Sequence, residues 1–310
     1  MSLVTTDLPV ATAGNGLHLF YQNGAKIYEV RSSNSGSAWT AQDEVIAEDG
    51  NPNTGSAMTA CFVEKDADYG GQQTIHLLYI NSSGNLVEKF KRMSGDKTIW
   101  ENIPLADAVK KGPESNSRLT GGAWNGSGWN ATGSQWNYFA SIQEGKQAIT
   151  EIRRTPKGAW YTETILPQNW GDALPGTDLA CTISNGVIKV FFQDHEYNIA
   201  LYEHKNGAWD KRGVYIDKSK VQPTTPLAVT RSENGKTHLF YAGQTGNIVH
   251  SIDGSDSKDL VKFYPGSKLG ATSVGDKLTL FYRSLNPVGE VVTHENDDGS
   301  WKPGVTVIKA

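Results

Sequence analysis

The chain has 310 residues, with 29 basic residues against 33 acidic ones and a formal net charge of −4 at pH 7. This balance gives no broad cationic field, so we expect no nucleic-acid partner. No stretch approaches the roughly 18 apolar residues of a membrane span, so we expect no membrane segment. The opening residues MSLVTTDLPV have neither a basic flank nor a long apolar core, so they predict no secretory signal. The location stays open between the cytoplasm and secretion with a leader already removed.

A short apolar phrase occurs six times along the chain and predicts a repeat architecture. It reads LHLFYQ from Leu17, IHLLYI from Ile75, WNYFAS from Trp136, IKVFFQ from Ile188, THLFYA from Thr237 and LTLFYR from Leu278. A strand of small residues, such as VATAG or LTGGA, comes before each phrase, and a turn and a third strand follow it. A fourth segment then opens on an aromatic residue: Trp39, Trp100, Trp160, Trp209, Phe263 or Trp301.

Each repeat therefore holds four short strands, and repeats start roughly 40 to 60 residues apart, which is the length of a propeller blade. A pair of β-sandwiches would also suit strands separated by turns. The repeat favours the propeller, because each blade buries its faces only against its neighbours and so restates one pattern. We predict an all-β fold, a six-bladed β-propeller of four-stranded blades. We expect a single domain over 1–310, with blades at roughly 8–50, 51–112, 113–172, 173–222, 223–265 and 266–310.

The cysteines and histidines give no sign of a disulfide or a metal. Cys61 and Cys181 occupy nearly equivalent first-strand places in the second and fourth repeats. A whole blade lies between them, so we expect free, buried thiols. The seven histidines show no paired ligand spacing, and neither a nucleotide loop nor a GxSxG elbow is present. We therefore expect no metal and no cofactor.

The stretches ALPGTDLACT from Ala173 and VIKVFFQDHEYNIALYEHKNGAW from Val187 resemble the fungal fucose-specific lectins. As a pattern the resemblance extends over essentially the whole chain. The fourth repeat is the one whose residues match the family's motifs best. It implies a six-bladed propeller, a homodimer, and sugar sites in the clefts between neighbouring blades. In that family each cleft uses an Arg from the second strand and a Glu from the third, and a Trp of the next blade gives an apolar wall.

No repeat of this chain keeps the arginine that the resemblance implies. Its place falls on His18, His76, Asn137, Lys189, His238 and Thr279. The place of the glutamate falls on Glu29, Glu88, Glu151, Leu201, His250 and Thr293. The walls of the first five clefts fall on Trp100, Trp160, Trp209, Phe263 or Tyr264, and Trp301. Histidine and lysine cannot offer the forked donor of a guanidinium, so we do not expect the fucose mode of the family to carry over unchanged.

The clefts that keep a carboxylate and a tryptophan are the candidate sugar sites. We predict His18, Glu29 and Trp100 for the first, His76, Glu88 and Trp160 for the second, and Asn137, Glu151 and Trp209 for the third. A neutral imidazole can donate one hydrogen bond to a hydroxyl while the carboxylate accepts two. The competing interpretation is structural: the histidines are buried donors, the tryptophans pack between blades and the glutamates are solvated. For His238 we prefer the structural interpretation.

The segment AWNGSGWNATGSQWN lies outside the repeat and holds Trp124, Trp129 and Trp136. Its indoles either line a pocket or a partner contact, or pack on the blade edge. Glycosylation sequons occur at Asn81, Asn125 and Asn130, and they matter only if the chain is secreted.

We predict a lectin-like carbohydrate-binding propeller with divergent glycan sites between its blades, acting through several weak sites. The alternative is an enzyme on the same scaffold, since fold does not determine function. Some fungal natural-product enzymes share a lectin-like propeller, so this alternative is a cofactor-free cyclase or hetero-Diels-Alderase with a preorganised apolar pocket. No catalytic motif supports it, and a protein-interaction propeller is a third possibility. The expected partners are glycans or a small organic ligand.

Overall fold

The computed structural model describes residues 6–41, 44–93, 99–110, 112–114, 116–126, 130–143, 146–164 and 173–309. Within these ranges nearly all regular structure is β. The helical segments found there are α1 (Asp107–Lys110) and the 3-10 turns Ala67–Tyr69 and Lys218–Lys220. No helix in the described part of the chain is long and apolar enough to cross a membrane.

The strands form six four-stranded sheets, which we number in chain order, and each sheet runs through its strands consecutively. The chain divides into two compact units, one of Met1–Ser56 and Ile216–Ala310, the other of Ala57–Tyr215. The first unit holds the first, fifth and sixth sheets. The second unit holds the second, third and fourth.

In the first unit, the first sheet contains β1 (Val10–Ala13), β2 (Gly16–Asn23), β3 (Lys26–Ser32) and β4 (Thr40–Ala41). The fifth sheet contains β17 (Leu227–Arg231), β18 (Thr237–Ala242), β19 (Asn247–Ile252) and β20 (Asp256–Lys262). The sixth sheet contains β21 (Gly270–Val274), β22 (Lys277–Leu285), β23 (Val288–Asn296) and β24 (Trp301–Ile308).

In the second unit, the second sheet contains β5 (Met58–Asp66), β6 (Gln72–Ile80), β7 (Leu86–Arg92) and β8 (Glu101–Ile103). The third sheet contains β9 (Leu119–Ala123), β10 (Gln135–Gln143), β11 (Lys146–Arg154) and β12 (Tyr161–Thr164). The fourth sheet contains β13 (Leu179–Ser184), β14 (Val187–Gln193), β15 (Ile199–Lys205) and β16 (Ala208–Ile216).

The second strands supply much of the buried apolar core, because neighbouring elements cover both of their faces. All six residues of β18 are buried, as expected for a continuous apolar strand covered on both sides. Some third strands alternate between buried and partly exposed residues, and β7 is an example. The repeated apolar phrase is therefore the central strand of each sheet.

The first strands are rich in small residues because they approach one another closely. In the first unit β21 contacts both β17 and β1, and in the second unit β9 contacts both β5 and β13. At Gly270 an added Cβ would overlap the carbonyl oxygen of Leu8, so glycine is required there by the close approach of two backbones.

The fold class predicted from the repeat is confirmed: the chain is all-β, with six four-stranded blades of a β-propeller. The extent of a single domain over 1–310 and the blade limits stay predictions. One detail was wrong, because β20 ends at Lys262 and the fourth strand of the fifth sheet does not open on Phe263. Cys61 and Cys181 are free thiols, as expected, and burial raises the pKa of Cys181 to about 12.

Candidate functional site

In the second and fifth sheets, the predicted cleft residues of the second and third strands lie on the same face of the sheet. Cross-strand partners in an antiparallel pair lie on the same face, as do residues two apart on one strand. In the second sheet Leu78 pairs with Glu88, which brings His76 to the face of Glu88. In the fifth sheet Phe240 pairs with His250, which brings His238 to the face of His250.

The second sheet holds a buried charge network, which we call the second-sheet cluster: His76, Glu88, Asp66, Arg154 and Trp160. His76 Nδ1 lies 2.9 Å from Glu88 Oε1, and His76 Nε2 lies 2.9 Å from Asp66 Oδ2. The indole of Trp160 donates to Glu88 Oε2 at 2.6 Å, and Arg154 Nη2 lies 3.5 Å from Glu88 Oε1. The predicted set His76, Glu88 and Trp160 therefore does converge.

A carboxylate lies at each ring nitrogen of His76 and favours its protonated form, while Arg154 Nη2 also lies 3.2 Å from Nδ1. Burial alone would lower the pKa of His76, but its hydrogen bonds to Asp66 and Glu88 outweigh burial and raise that pKa above the usual value. The pKa of Asp66 is lowered, because the hydrogen bonds from His76 and Thr74 outweigh the effect of burial. In its protonated form the ring donates from both nitrogens, one to each carboxylate.

The second-sheet cluster is closed to solvent. His76 and Glu88 are each 0% exposed and Trp160 is 6% exposed. Both oxygens of Glu88 are already engaged by His76, Arg154 and Trp160. A saccharide would have to displace one of these buried contacts, so the geometry favours the structural interpretation. The sugar-binding role itself stays a prediction.

Two arginines that the sequence did not point to supply guanidinium groups here. Arg154, at the end of β11, reaches Glu88 in the neighbouring sheet, and its guanidinium lies 5.1 Å from the Trp160 ring centroid. In the first sheet Arg31 Nη2 donates to Glu29 Oε2 at 2.9 Å, and its Nε lies 2.8 Å from Oε1. The missing arginines of β2 and β6 are thus partly replaced by arginines on third strands.

The first predicted set is divided between the two units. His18 Nδ1 lies 2.6 Å from Glu29 Oε1, and both residues are buried. Trp100 belongs to the second unit, where its ring lies 4.9 Å from the ammonium of Lys91. The sugar-binding roles of His18, Glu29 and Trp100 stay predictions.

The third predicted set needs a correction in register. Tyr138 pairs with Glu151 while Asn137 pairs with Ile152, so Asn137 and Glu151 lie on opposite faces of the sheet. The phenol of Tyr138 donates to Glu151 Oε2 at 2.7 Å. Trp209 packs edge-on against Tyr138 at 6.0 Å, so it lies on the Tyr138 side. The sequence alignment was shifted by one residue, and a shift of one residue exchanges the two faces of a strand.

The tryptophan-rich segment is largely core in its described part. Trp124 and Trp136 are 9% and 3% exposed and pack in one apolar cluster with Tyr138. Trp129 lies outside the described residues. The sequon residue Asn125 is bound on both sides of its amide, accepting from Glu64 N and donating to Phe62 O, each at 2.8 Å.

An open cavity of about 400 Å³ lies between the fifth and sixth sheets, within the first unit. It is lined by His238, His250 and Trp301, which stand at the arginine, glutamate and wall places of the fifth cleft. Its rim carries side chains of both charges: Lys236, Lys258, Asp276, Asp297 and Asp298. The volume falls within the range of about 300 to 1,000 Å³ that is usual for small-molecule sites.

The three central residues of this cavity contact one another. His238 Nδ1 lies 2.9 Å from His250 Nε2, and the indole of Trp301 donates to His250 Nδ1 at 3.2 Å. Burial lowers the pKa of His250 to about 3, and the charge of Lys258, together with that of His238 when it is protonated, acts in the same direction. Burial also lowers the pKa of His238. Both rings are therefore neutral near pH 7.

Comparisons with known proteins agree with this architecture. The family model described as fungal fucose-specific lectin matches residues 133–309. None of the curated proteins matches the chain. The fucose-specific lectin from Aleuria aurantia is 18% identical, with a TM-score of 0.78 over 99% of this chain and 97% of that one.

Two further solved structures are similar. AofleA from Arthrobotrys oligospora is 18% identical, with a TM-score of 0.78 over 99% of this chain and 88% of that one. SapL1 lectin, in complex with alpha methyl fucoside, is 18% identical, with a TM-score of 0.75 over 99% and 98% of the two chains. At such identity, these structural likenesses show the fold alone.

Proposed function

Because the chain belongs to the fungal fucose-specific lectin family, we propose that it binds carbohydrate in the cavity lined by His238, His250 and Trp301. The observation that carries the proposal is this open cavity of about 400 Å³ at the fifth cleft. Its three central residues occupy the places that the family resemblance gives to the cation, the acid and the wall. A homodimer, also implied by the resemblance, stays a prediction.

The chemistry of the cavity suits a hydroxyl-rich ligand. Trp301 is partly exposed and offers a flat apolar surface, on which the apolar face of a sugar ring can pack. Lysines and aspartates both line the rim. The lysines can donate to sugar hydroxyl groups and the aspartates can accept from them. This mixture supports a saccharide better than it supports the apolar pocket of a cyclase.

The contrast with the second-sheet cluster supports the choice of cavity. Glu88 is 0% exposed, and its oxygens are held by protein donors. Trp301, by contrast, borders open space. We therefore propose that the saccharide site is the fifth cleft, although a carboxylate survives in the second and not in the fifth.

A glycan array followed by titration calorimetry with alpha-methyl-L-fucoside tests the proposal. We expect the wild-type chain to bind and Trp301→Ala to bind more weakly by about tenfold, since the aromatic face of the site is lost. Trp39→Ala is the matched control, because Trp39 lies in the same unit, packs edge-on against Phe281 at 5.5 Å and does not line the cavity. We expect the control to bind as wild type does.

Two outcomes would contradict the proposal. One is a flat array response across fucosylated and other glycans. The other is equal loss of binding in Trp301→Ala and Trp39→Ala, with both variants folded by circular dichroism.

A further inference from the structure

A chain of hydrogen bonds runs along the wall of the fifth-cleft cavity, and we call it the cavity chain. It connects five residues that all line the cavity, in the order Trp301, His250, His238, Ser232 and Asn234. Its four links measure 3.2 Å, 2.9 Å, 2.9 Å and 2.8 Å. The positions of the protons along it decide what the cavity presents to a ligand.

The first end of the chain fixes its direction. An indole N–H can only donate, so Trp301 makes His250 Nδ1 an acceptor. A neutral imidazole has one N–H, so the proton of His250 is on Nε2 and is donated to His238 Nδ1. By the same argument the proton of His238 is on Nε2 and is donated to the hydroxyl of Ser232.

The other end gives the same direction independently. The backbone N–H of Lys236 can only donate, and it lies 3.2 Å from Asn234 Oδ1. This contact identifies Oδ1 as the amide oxygen, without the ambiguity that Asn side chains often have. Ser232 then donates its own proton to Oδ1 at 2.8 Å, which leaves its lone pairs free to accept from His238.

This direction bears on the enzyme alternative. A serine in series with two histidines resembles the arrangement of an activated nucleophile, in which the serine donates its proton to the adjacent histidine. In the cavity chain His238 Nε2 carries the proton and Ser232 accepts it. Ser232 is therefore not set up to be deprotonated by His238.

The cavity chain ends at the side-chain amide NH₂ group of Asn234, at the rim of the cavity. With Oδ1 occupied by Ser232 and Lys236, no described residue accepts a hydrogen bond from Asn234 Nδ2. The backbone of this turn is held from the sixth sheet, since Asn234 N donates to Asp276 Oδ1 at 3.1 Å and Glu233 N donates to Gly275 O at 3.2 Å. The exposed amide is thus fixed in position before a ligand arrives.

We propose that Asn234 is a specificity-determining residue of the saccharide site, and that its Nδ2 amide donates to a ring or hydroxyl oxygen of the bound sugar. Trp301 is the positioning residue of the two imidazoles, because its indole makes His250 Nδ1 an acceptor and so sets the direction of the cavity chain, while the backbone N–H of Lys236 sets the orientation of the Asn234 amide. This inference rests on the proposed function of the same cavity. It adds a contact that the arginine, glutamate and tryptophan pattern of the family does not contain.

Asn234→Asp is the direct test, because it keeps the Oδ1 acceptor and changes the donor into a second acceptor. We expect calorimetry with alpha-methyl-L-fucoside to show about tenfold weaker binding. Asn53→Asp is the matched control, since Asn53 is an exposed asparagine of the same unit that does not line the cavity, and the variant adds the same charge. We expect it to change the affinity by less than about threefold.

A second measurement tests the direction of the cavity chain without any ligand. In ¹⁵N-labelled protein we expect both His238 and His250 to be protonated on Nε2. Trp301→Phe keeps an aromatic wall but removes the end donor, so we expect it to mix the tautomers of His250. A role of Trp301 in packing alone would leave the tautomers unchanged.

The outcomes separate this inference from the proposed function. If the wild-type chain binds sugar but Asn234→Asp and Asn53→Asp lose affinity equally, or neither loses it, the inference fails alone. A proton found on His238 Nδ1 also overturns it. If the wild-type chain binds no glycan, the proposed function fails first and the role of Asn234 in specificity fails with it.

Discussion

His76 in the second sheet and His238 in the fifth sheet occupy the same position of the second strand, but they face different partners on the third strand. His76 meets Glu88 and also contacts Asp66, so the two carboxylates raise its pKa and favour its protonated form. His238 meets His250, so both rings stay neutral. The tryptophan contact is the same in both regions, because the indoles of Trp160 and Trp301 donate to the third-strand residue.

The closed cleft has a glutamate at this place of the third strand, and the open cleft has a histidine. Glu88 contacts His76 and Arg154 and is fully buried. His250 is instead held by hydrogen bonds to His238 and Trp301, and an open cavity lies beside it. Glu88, which the sequence favoured as a sugar ligand, is thus held by protein donors in the second cleft.

The largest expected effect is on the closed region. Glu88→Ala removes the acceptor of three buried donors and leaves His76 and Arg154 without their shared partner. We expect it to lower the free energy of unfolding by about 3 to 5 kcal/mol, the usual cost of breaking a buried ion pair. Urea denaturation followed by tryptophan fluorescence measures this change.

Glu101→Ala is the control in the same sheet. Glu101 pairs with Arg92 at 3.5 Å, and both side chains are substantially exposed. We expect a loss below about 1 kcal/mol, as for other surface ion pairs. A loss at Glu88 no larger than at Glu101 would show that the second-sheet cluster does not stabilise the fold.

A smaller effect is expected in the pH dependence of the open region. The pKa of His250 is lowered to about 3 by burial, His238 and Lys258. Its contribution to stability is therefore present above the unfolded pKa of about 6.5 and is lost as the pH falls towards 3. For His76 the sign is opposite: its pKa is raised, so its contribution is present below about 6.5 and is lost as the pH rises through the folded value.

His250→Gln isolates this dependence, since a glutamine amide can accept from Trp301 and donate to His238 without titrating. As the pH falls from about 6.5 to 4, we expect wild type to lose stability relative to the variant by up to about 1.4 kcal/mol per pH unit. Above pH 7 the difference should be constant. Denaturant midpoints across this range measure it, and a difference that does not vary with pH would contradict a neutral His250.

The architecture could be predicted from the sequence because the same four-strand pattern occurs six times. A strand assignment that is uncertain in one repeat is supported by the equivalent strands of the others. The register of the third sheet could not be predicted in this way. Its phrase begins with Trp136 and has no basic residue to align, so Asn137 was matched to the wrong face of β10. Only the pairing of Tyr138 with Glu151 across the ladder fixes the face, and no single strand records that pairing.

The site residues were predictable to different degrees. Arg31 lies two residues after Glu29 on one strand, so the period of a strand could have placed it on the same face. Arg154 reaches Glu88 from another sheet, and no spacing in the sequence records that contact. The cavity chain joins Ser232, in a turn, to Trp301, and whether a cavity stays open depends on packing that composition does not show.

The most direct test of the account compares the two regions in one experiment. Alpha-methyl-L-fucoside is titrated into ¹⁵N-labelled protein while the indole N–H signals of Trp301 and Trp160 are followed. The account predicts that the Trp301 signal shifts in proportion to binding while the Trp160 signal, held by Glu88 in a closed cluster, does not move. A shift at Trp160 with none at Trp301 would contradict it.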